Sequence, residues 1–198
     1  PYTTLFRSNC LGRHFGVDEK KLREIADRDE IRQVMMRYAR GLDRLDFELA
    51  RSCYWDDATE DHGSYVGKPD DFIHWADSTT LAFESTQHGI LNHACDLQGD
   101  DAYCETYYMF TSKAAVAPHL MSTGRYIDHF QKRAGASGPE WRIANRVCII
   151  EAQYELHDYV LSRMMPSAYA ADEPCQAARD RSDVSYHRPP VPRKPQQS

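Results

Sequence analysis

The chain has 198 residues, 41% of them hydrophobic and 27% charged, with a formal net charge of -6. That length suits one domain with a sizeable core plus extensions, and an acidic balance without any basic stripe argues against a nucleic-acid partner. The longest apolar runs are strand-sized, too short to span a bilayer, and no signal peptide is recognisable, so a cytoplasmic protein is expected.

The opening PYTTLFRS lacks a Met and resembles translated adapter sequence, so residues 1 to about 8 are set aside, within an N-terminal extension over 1–17. From Asp18 to Leu42, the apolar residues Leu22, Ile25, Ile31, Val34, Met35, Tyr38 and Leu42 recur at three- and four-residue steps, predicting one long amphipathic helix. Gly41 loosens its last turn, and Asp46 is placed to cap a second helix over Phe47 to Tyr54. Asp43 lies in the link between them. DATEDHGSYVG predicts a strand pair bent at Gly63, and KPDD begins a third helix that runs to about Phe83, with Pro69 in its first turn.

The second half is β-rich. TQHGILNHACDL and AYCETYYMFTSKAAV flank a QGDD turn, and HLMSTGRYIDHFQKR and WRIANRVCIIEAQYE flank AGASGPE, predicting two hairpins. Helices first and strands afterwards indicate an α+β fold with a mostly antiparallel sheet, bounded at about 18–154. Within 155–198, a short helix is predicted from Glu155 to Met165, ended by Pro166. A polar stretch follows that wraps the domain or a neighbouring subunit, then a disordered Pro-rich tail.

Six cysteines, Cys10, Cys53, Cys95, Cys104, Cys148 and Cys175, show no CxxC spacing and sit mostly in apolar segments. They are expected to be reduced packing residues, not disulfides or zinc ligands. Strand alternation puts His88, Ile90 and Asn92 on one face and Gln87, Gly89, Leu91, His93 and Cys95 on the other. On the partner strand Ala102, Cys104, Thr106, Tyr108 and Phe110 share a face. A concave face carrying His88, Thr106 and Tyr108 beneath the helices would form an apolar pocket with few polar groups. Taken singly, each residue also has a plainer role: Asp43 as a helix terminus, His88 as a structural histidine, Tyr38 as core and His62 as a loop residue.

In order, YARGLD, YWDDA, a strand pair with a glycine, KPDD, TQHGILNH, QGDDAYCETYY, GRYIDHF and WRIANR resemble the SnoaL-like family of the nuclear transport factor 2-like superfamily, over about Asp18 to Tyr154. The later RDRSDVSY is similar to the ends of longer members. This resemblance implies a cone: three N-terminal helices packed in one curved, mostly antiparallel sheet. It reaches scytalone dehydratase, hexachlorocyclohexane dehydrochlorinase and bile-acid 7α-dehydratase, whose aspartate and histidine positions match Asp43 and His88. Tyr38 and Arg146 match donor positions, His62 falls where scytalone dehydratase has a tyrosine, and Thr106 falls near that enzyme's second histidine. Ile150 meets the bile-acid enzyme's arginine. His62, Thr106, Tyr108 and Tyr126 are the expected substrate-binding residues.

The implied function is a cofactor-independent lyase or isomerase in which Asp43 orients His88 as general base toward a hydrophobic cyclic substrate, such as a steroid or polyketide. A non-catalytic ligand-binding or oligomerisation module, or the non-metal small subunit of a ring-hydroxylating oxygenase, are the alternatives. No cofactor or metal is expected, since His62, Asp43 and His88 would form a metal triad only by coincidence of geometry. A homodimer or homotrimer without membrane or nucleic-acid partners completes the expectation.

Overall fold

Asp18 accepts hydrogen bonds from the backbone N–H of Lys20 (3.0 Å) and Lys21 (3.3 Å), which caps helix α1, Glu19–Asp43. The computed structural model describes residues 18–136, 138–157 and 178–190. On α1 the buried stripe is Ile31, Val34, Met35, Tyr38 and Leu42. Leu22 and Ile25, expected in the same stripe, are 52% and 55% exposed. The period is right, but these early positions of the helix face solvent.

Asp46 caps α2, Phe47–Arg51, through the Leu49 N–H (3.2 Å). The helix is shorter than expected because Tyr54 already opens strand β1, Tyr54–Asp61. Gly41 does more than loosen a turn: a Cβ there would lie 2.6 Å from the backbone nitrogen of Ala50. Only glycine lets α2 fold back so closely onto α1. Gly63, with φ 74°, turns the chain into β2, Val66–Gly67, and α3 follows at Pro69–Thr80.

Four long strands complete the sheet: β3 Phe83–Gln98, β4 Asp101–Ala114, β5 His119–Gly135 and β6 Gly138–Leu156. The order is β2-β1-β6-β5-β4-β3, antiparallel except where β1 runs parallel to β6. Helices first, then a six-stranded mixed sheet, give the expected cone-shaped α+β fold. Strand β6 takes in Glu155 and Leu156, where a helix was predicted. The predicted helix beyond His157, the opening 17 residues and the end of the Pro-rich tail lie outside the described residues. Among the described residues no helix is long and apolar enough to cross a membrane.

The core forms between α1 and the inner sheet face, where Tyr38 meets Tyr54 and Tyr126 edge-on, each at 5.9 Å between ring centroids. On β4 the predicted inner face holds: Ala102, Cys104, Thr106 and Tyr108 are all buried. Strand β3 departs from simple alternation. Ile90 pairs with Tyr108 and His93 with Thr106, so Leu91 and Asn92 together oppose Tyr107 alone. This bulge resets the faces. Asn92 therefore points outward and is exposed, while His93 and Cys95 turn inward, the reverse of the expectation. Segment 178–190 returns to α1, with Arg44 paired to Asp183 at 3.3 Å and Arg40 over the Tyr186 ring at 4.5 Å.

Candidate active site

Helix α1 ends on an acid whose side chain faces the sheet, because the chain reverses immediately afterwards through Leu45, at φ 54°. Asp43 Oδ2 accepts the backbone N–H of His88 at 2.8 Å, and Oδ1 accepts both His88 Nδ1 at 2.7 Å and the Thr86 hydroxyl at 3.1 Å. A carboxylate only accepts, so Nδ1–H donates to it, and in the neutral ring the lone pair then lies on Nε2. Among the described residues Nε2 makes no hydrogen bond. Phe110 packs against the ring at 4.7 Å.

His88 lines a cavity of about 340 Å³ together with His62, Tyr108 and Tyr126. The remaining wall is largely apolar, with Leu42, Phe72, Trp75, Phe83, Phe110 and Ile150. His62, just beyond β1, has Nδ1 2.8 Å from Glu60 Oε1, and Glu60 Oε2 accepts the Tyr54 hydroxyl at 2.7 Å. Burial opposes charge on His62, but its contacts with Cys148 and Glu60 outweigh that cost and raise its pKa to about 9. It is an imidazolium at neutral pH. Glu60 escaped the sequence reading, although an acid two residues before a histidine on a strand shares its face.

Four expected site residues are placed outside this wall: Asp43, which meets it through His88, and Arg146, Tyr38 and Thr106. Arg146 is fully buried, bonded to Asp128 through Nε (2.6 Å) and Nη2 (2.9 Å), and clamped between the rings of Tyr38 (4.2 Å) and Tyr126 (4.3 Å). Its Nη1 donates to the Tyr54 hydroxyl at 3.4 Å, so a polar chain runs from His62 through Glu60 and Tyr54 to Arg146 and Asp128. Tyr38 is wholly buried, and its hydroxyl has no hydrogen-bond partner among the described residues. Burial pushes that phenol far above its ordinary range. Thr106 lies further along β4, where its hydroxyl meets His93 Nδ1 at 2.8 Å.

Asp43, His88 and His62 do not converge on one point. The first two are bonded to each other and His62 to Glu60. Arg179, unforeseen from sequence, braces this end of the molecule by donating to the carbonyls of Thr80 (2.6 Å), Phe83 (2.8 Å) and Asp43 (3.4 Å) and to the Thr86 hydroxyl (3.3 Å).

Comparison with known proteins places this geometry in context. The family described as SnoaL-like domain matches residues 23–147. No curated protein matches. Among solved structures, the Kfla4162 protein from Kribbella flavida is 22% identical, covering 66% of this chain and 95% of its own, with a TM-score of 0.59. A putative scytalone dehydratase from Novosphingobium aromaticivorans is 17% identical over 72% of this chain and 94% of its own, with a TM-score of 0.60. Hexachlorocyclohexane dehydrochlorinase LinA-type3 from Novosphingobium barchaimii is 16% identical over 70% and 98%, with a TM-score of 0.62. At such identities the likeness is one of fold.

Proposed function

The chain belongs to the SnoaL-like family, and from that premise we propose that it is a cofactor-independent lyase or isomerase acting on a hydrophobic cyclic substrate of the steroid or polyketide kind. One observation carries this reading: an unbonded histidine nitrogen, Nε2 of His88, on the wall of an apolar cavity, with the opposite ring nitrogen held by buried Asp43. In the proposed elimination, His88 Nε2 takes a proton from a C–H beside a carbonyl or a leaving group. Asp43 keeps the ring oriented and stabilises the positive charge it acquires. The C–H electron pair becomes the new double bond, and the leaving oxygen departs with a proton from the His62 imidazolium. In an isomerisation, the same imidazolium instead stabilises the enolate oxygen.

Arg146 and Tyr38 act at one remove. Arg146 donates to the Tyr54 hydroxyl, which in turn donates to Glu60, the partner of His62, while the Tyr38 ring covers the guanidinium. The cavity volume of about 340 Å³ falls at the lower end of small-molecule sites, roughly 300–1,000 Å³. The names of two structural neighbours, a putative dehydratase and a dehydrochlorinase, are those of elimination enzymes.

The test is incubation in D2O with a panel of cyclic β-hydroxy ketones, steroids and aromatic polyketides. Substrate deuteration or loss of the leaving group is read by mass spectrometry. His88→Gln and Asp43→Asn are each expected to lower the rate by at least about a hundredfold with ligand binding retained, since proton transfer is what is lost. A ligand that binds the cavity yet neither exchanges nor eliminates would favour the non-catalytic module.

A further inference from the structure

The bulge on β3 creates a second cluster, well away from the His88 cavity. Cys95 and Cys104 face each other directly across β3 and β4, and His93 lies beside them on the same inner face. One ring nitrogen of His93 and the two Sγ atoms all lie within 4.8 Å of one another, the only such His, Cys or acid trio among the described residues. His93 Nε2 is buried and has no hydrogen-bond partner among the described residues, while Nδ1 is 2.8 Å from Thr106 Oγ1. A buried nitrogen with nothing to bind is unusual. The Thr106 hydroxyl can accept from Nδ1–H, which puts the lone pair at Nε2, the arrangement that second-shell partners impose on metal-binding histidines.

We propose that His93, Cys95 and Cys104 form a binding site for a thiophilic metal ion, Zn2+ or Cu+, which ties β3 to β4 at the end of the sheet remote from the His88 cavity. Two thiolates and a neutral imidazole are soft donors that select these ions over Mg2+ or Ca2+. A tetrahedral Zn2+ with thiolates at about 2.3 Å brings its ligands to within 4 Å of each other, a small contraction of the trio. Two thiolate charges neutralise a divalent ion, which spares the adjacent Asp128, already committed to Arg146. Cys104 lies four residues from Tyr108, about 13 Å along the strand, so this site is independent of the catalytic reading.

The full chain, purified without chelator and reloaded anaerobically with Zn2+ or Cu+, should bind one ion at the site, with two sulfurs in its X-ray absorption spectrum. Co2+ should give sulfur-to-cobalt charge-transfer bands, and preference for Zn2+ or Cu+ in competition assigns the ion. His93→Gln, Cys95→Ser and Cys104→Ser should each weaken binding by more than the roughly 10- to 100-fold produced by losing a second-shell partner. Thr106→Val should fall within that range, and Cys53→Ser should leave affinity unchanged. The X-ray absorption measurement needs no variant, so misfolding of a substituted chain cannot rescue the idea. Absence of sulfur ligation in the wild type, binding that survives all three substitutions, or a Cys95–Cys104 disulfide in anaerobically purified protein would each overturn it.

Discussion

Asp128 with Arg146 and Asp43 with His88 are both acid–base pairs taken out of water on the inner face of one sheet. In the first, a permanent cation is held by two short bonds to Asp128, sits between two tyrosine rings and is wholly shielded from solvent. Four of its five N–H donors are engaged, and its full burial leaves nothing a ligand could reach. In the second, the base is titratable, the acid takes only one ring nitrogen, and the other faces a cavity. A buried charge with every partner supplied organises a core, while a buried base with one nitrogen left over retains its chemistry.

The sharpest way to break this contrast is to remove each acid in turn. Asp128→Ala leaves the Arg146 guanidinium buried and unpaired, and stability should fall by about 3–5 kcal/mol in urea denaturation. Replacing both partners, as in Asp128→Leu with Arg146→Met, should recover much of that loss because no charge is then stranded. Asp43→Asn keeps the shape and part of the hydrogen bonding at the cavity, so its cost should be about 1–2 kcal/mol. Equal losses for the two acids would erase the distinction.

A smaller effect should appear in the pH dependence of stability. His62, held charged by Glu60 and Cys148 in spite of burial, has its folded-state pKa raised from 6.5 to about 9. A raised pKa means the folded state holds the proton more tightly. The stabilisation is therefore complete below about pH 6.5 and is lost as pH climbs through about 9, to an upper limit of about 3 kcal/mol. Thermal unfolding of the wild type should show Tm falling across that window, and His62→Gln should flatten the slope. The Arg146 pair, whose cation does not titrate there, contributes no slope of its own.

What could be read from the sequence follows from how local each signal is. Residues on α1 repeat at helical spacing, and the hairpins announce themselves by turn chemistry at QGDD and AGASGPE. That Asp43 ends a helix and His88 points inward were local readings, but their contact was implied only by the resemblance to the SnoaL-like family, since the partners lie 45 residues apart. The bulge at Leu91 and Asn92 was not, since nothing in those side chains marks it, and it moved His93 and Cys95 to the inner face. Arg146 carries a similar lesson. The family resemblance implied a donor there, but whether a guanidinium meets a cavity or a carboxylate depends on Asp128, a strand away.

Arg179 offers the smallest and most selective test, because it touches the Asp43 pair without belonging to it. Its guanidinium gathers three carbonyls, from the ends of α1 and α3 and the start of β3, and donates to the Thr86 hydroxyl. That hydroxyl in turn donates to Asp43 Oδ1, the same oxygen that holds His88 Nδ1. No pattern in a polar stretch foretells such a role, since the partners come from three separate segments. Arg179→Met keeps most of the aliphatic packing and removes the donors. Stability should fall by about 1 kcal/mol, the usual net worth of a few partly exposed hydrogen bonds. If the guanidinium holds Thr86 and Asp43 in register, the rate of substrate exchange should drop several-fold with KM nearly unchanged, whereas loss of packing alone would lower Tm and leave the rate per folded molecule intact. At the other end of the sheet, Arg179→Met should not alter the response to Asp128→Ala, because the two sites share no partner and their effects should add. Coupling between them would mean that the two buried pairs form one network, contrary to the separation drawn from their geometry.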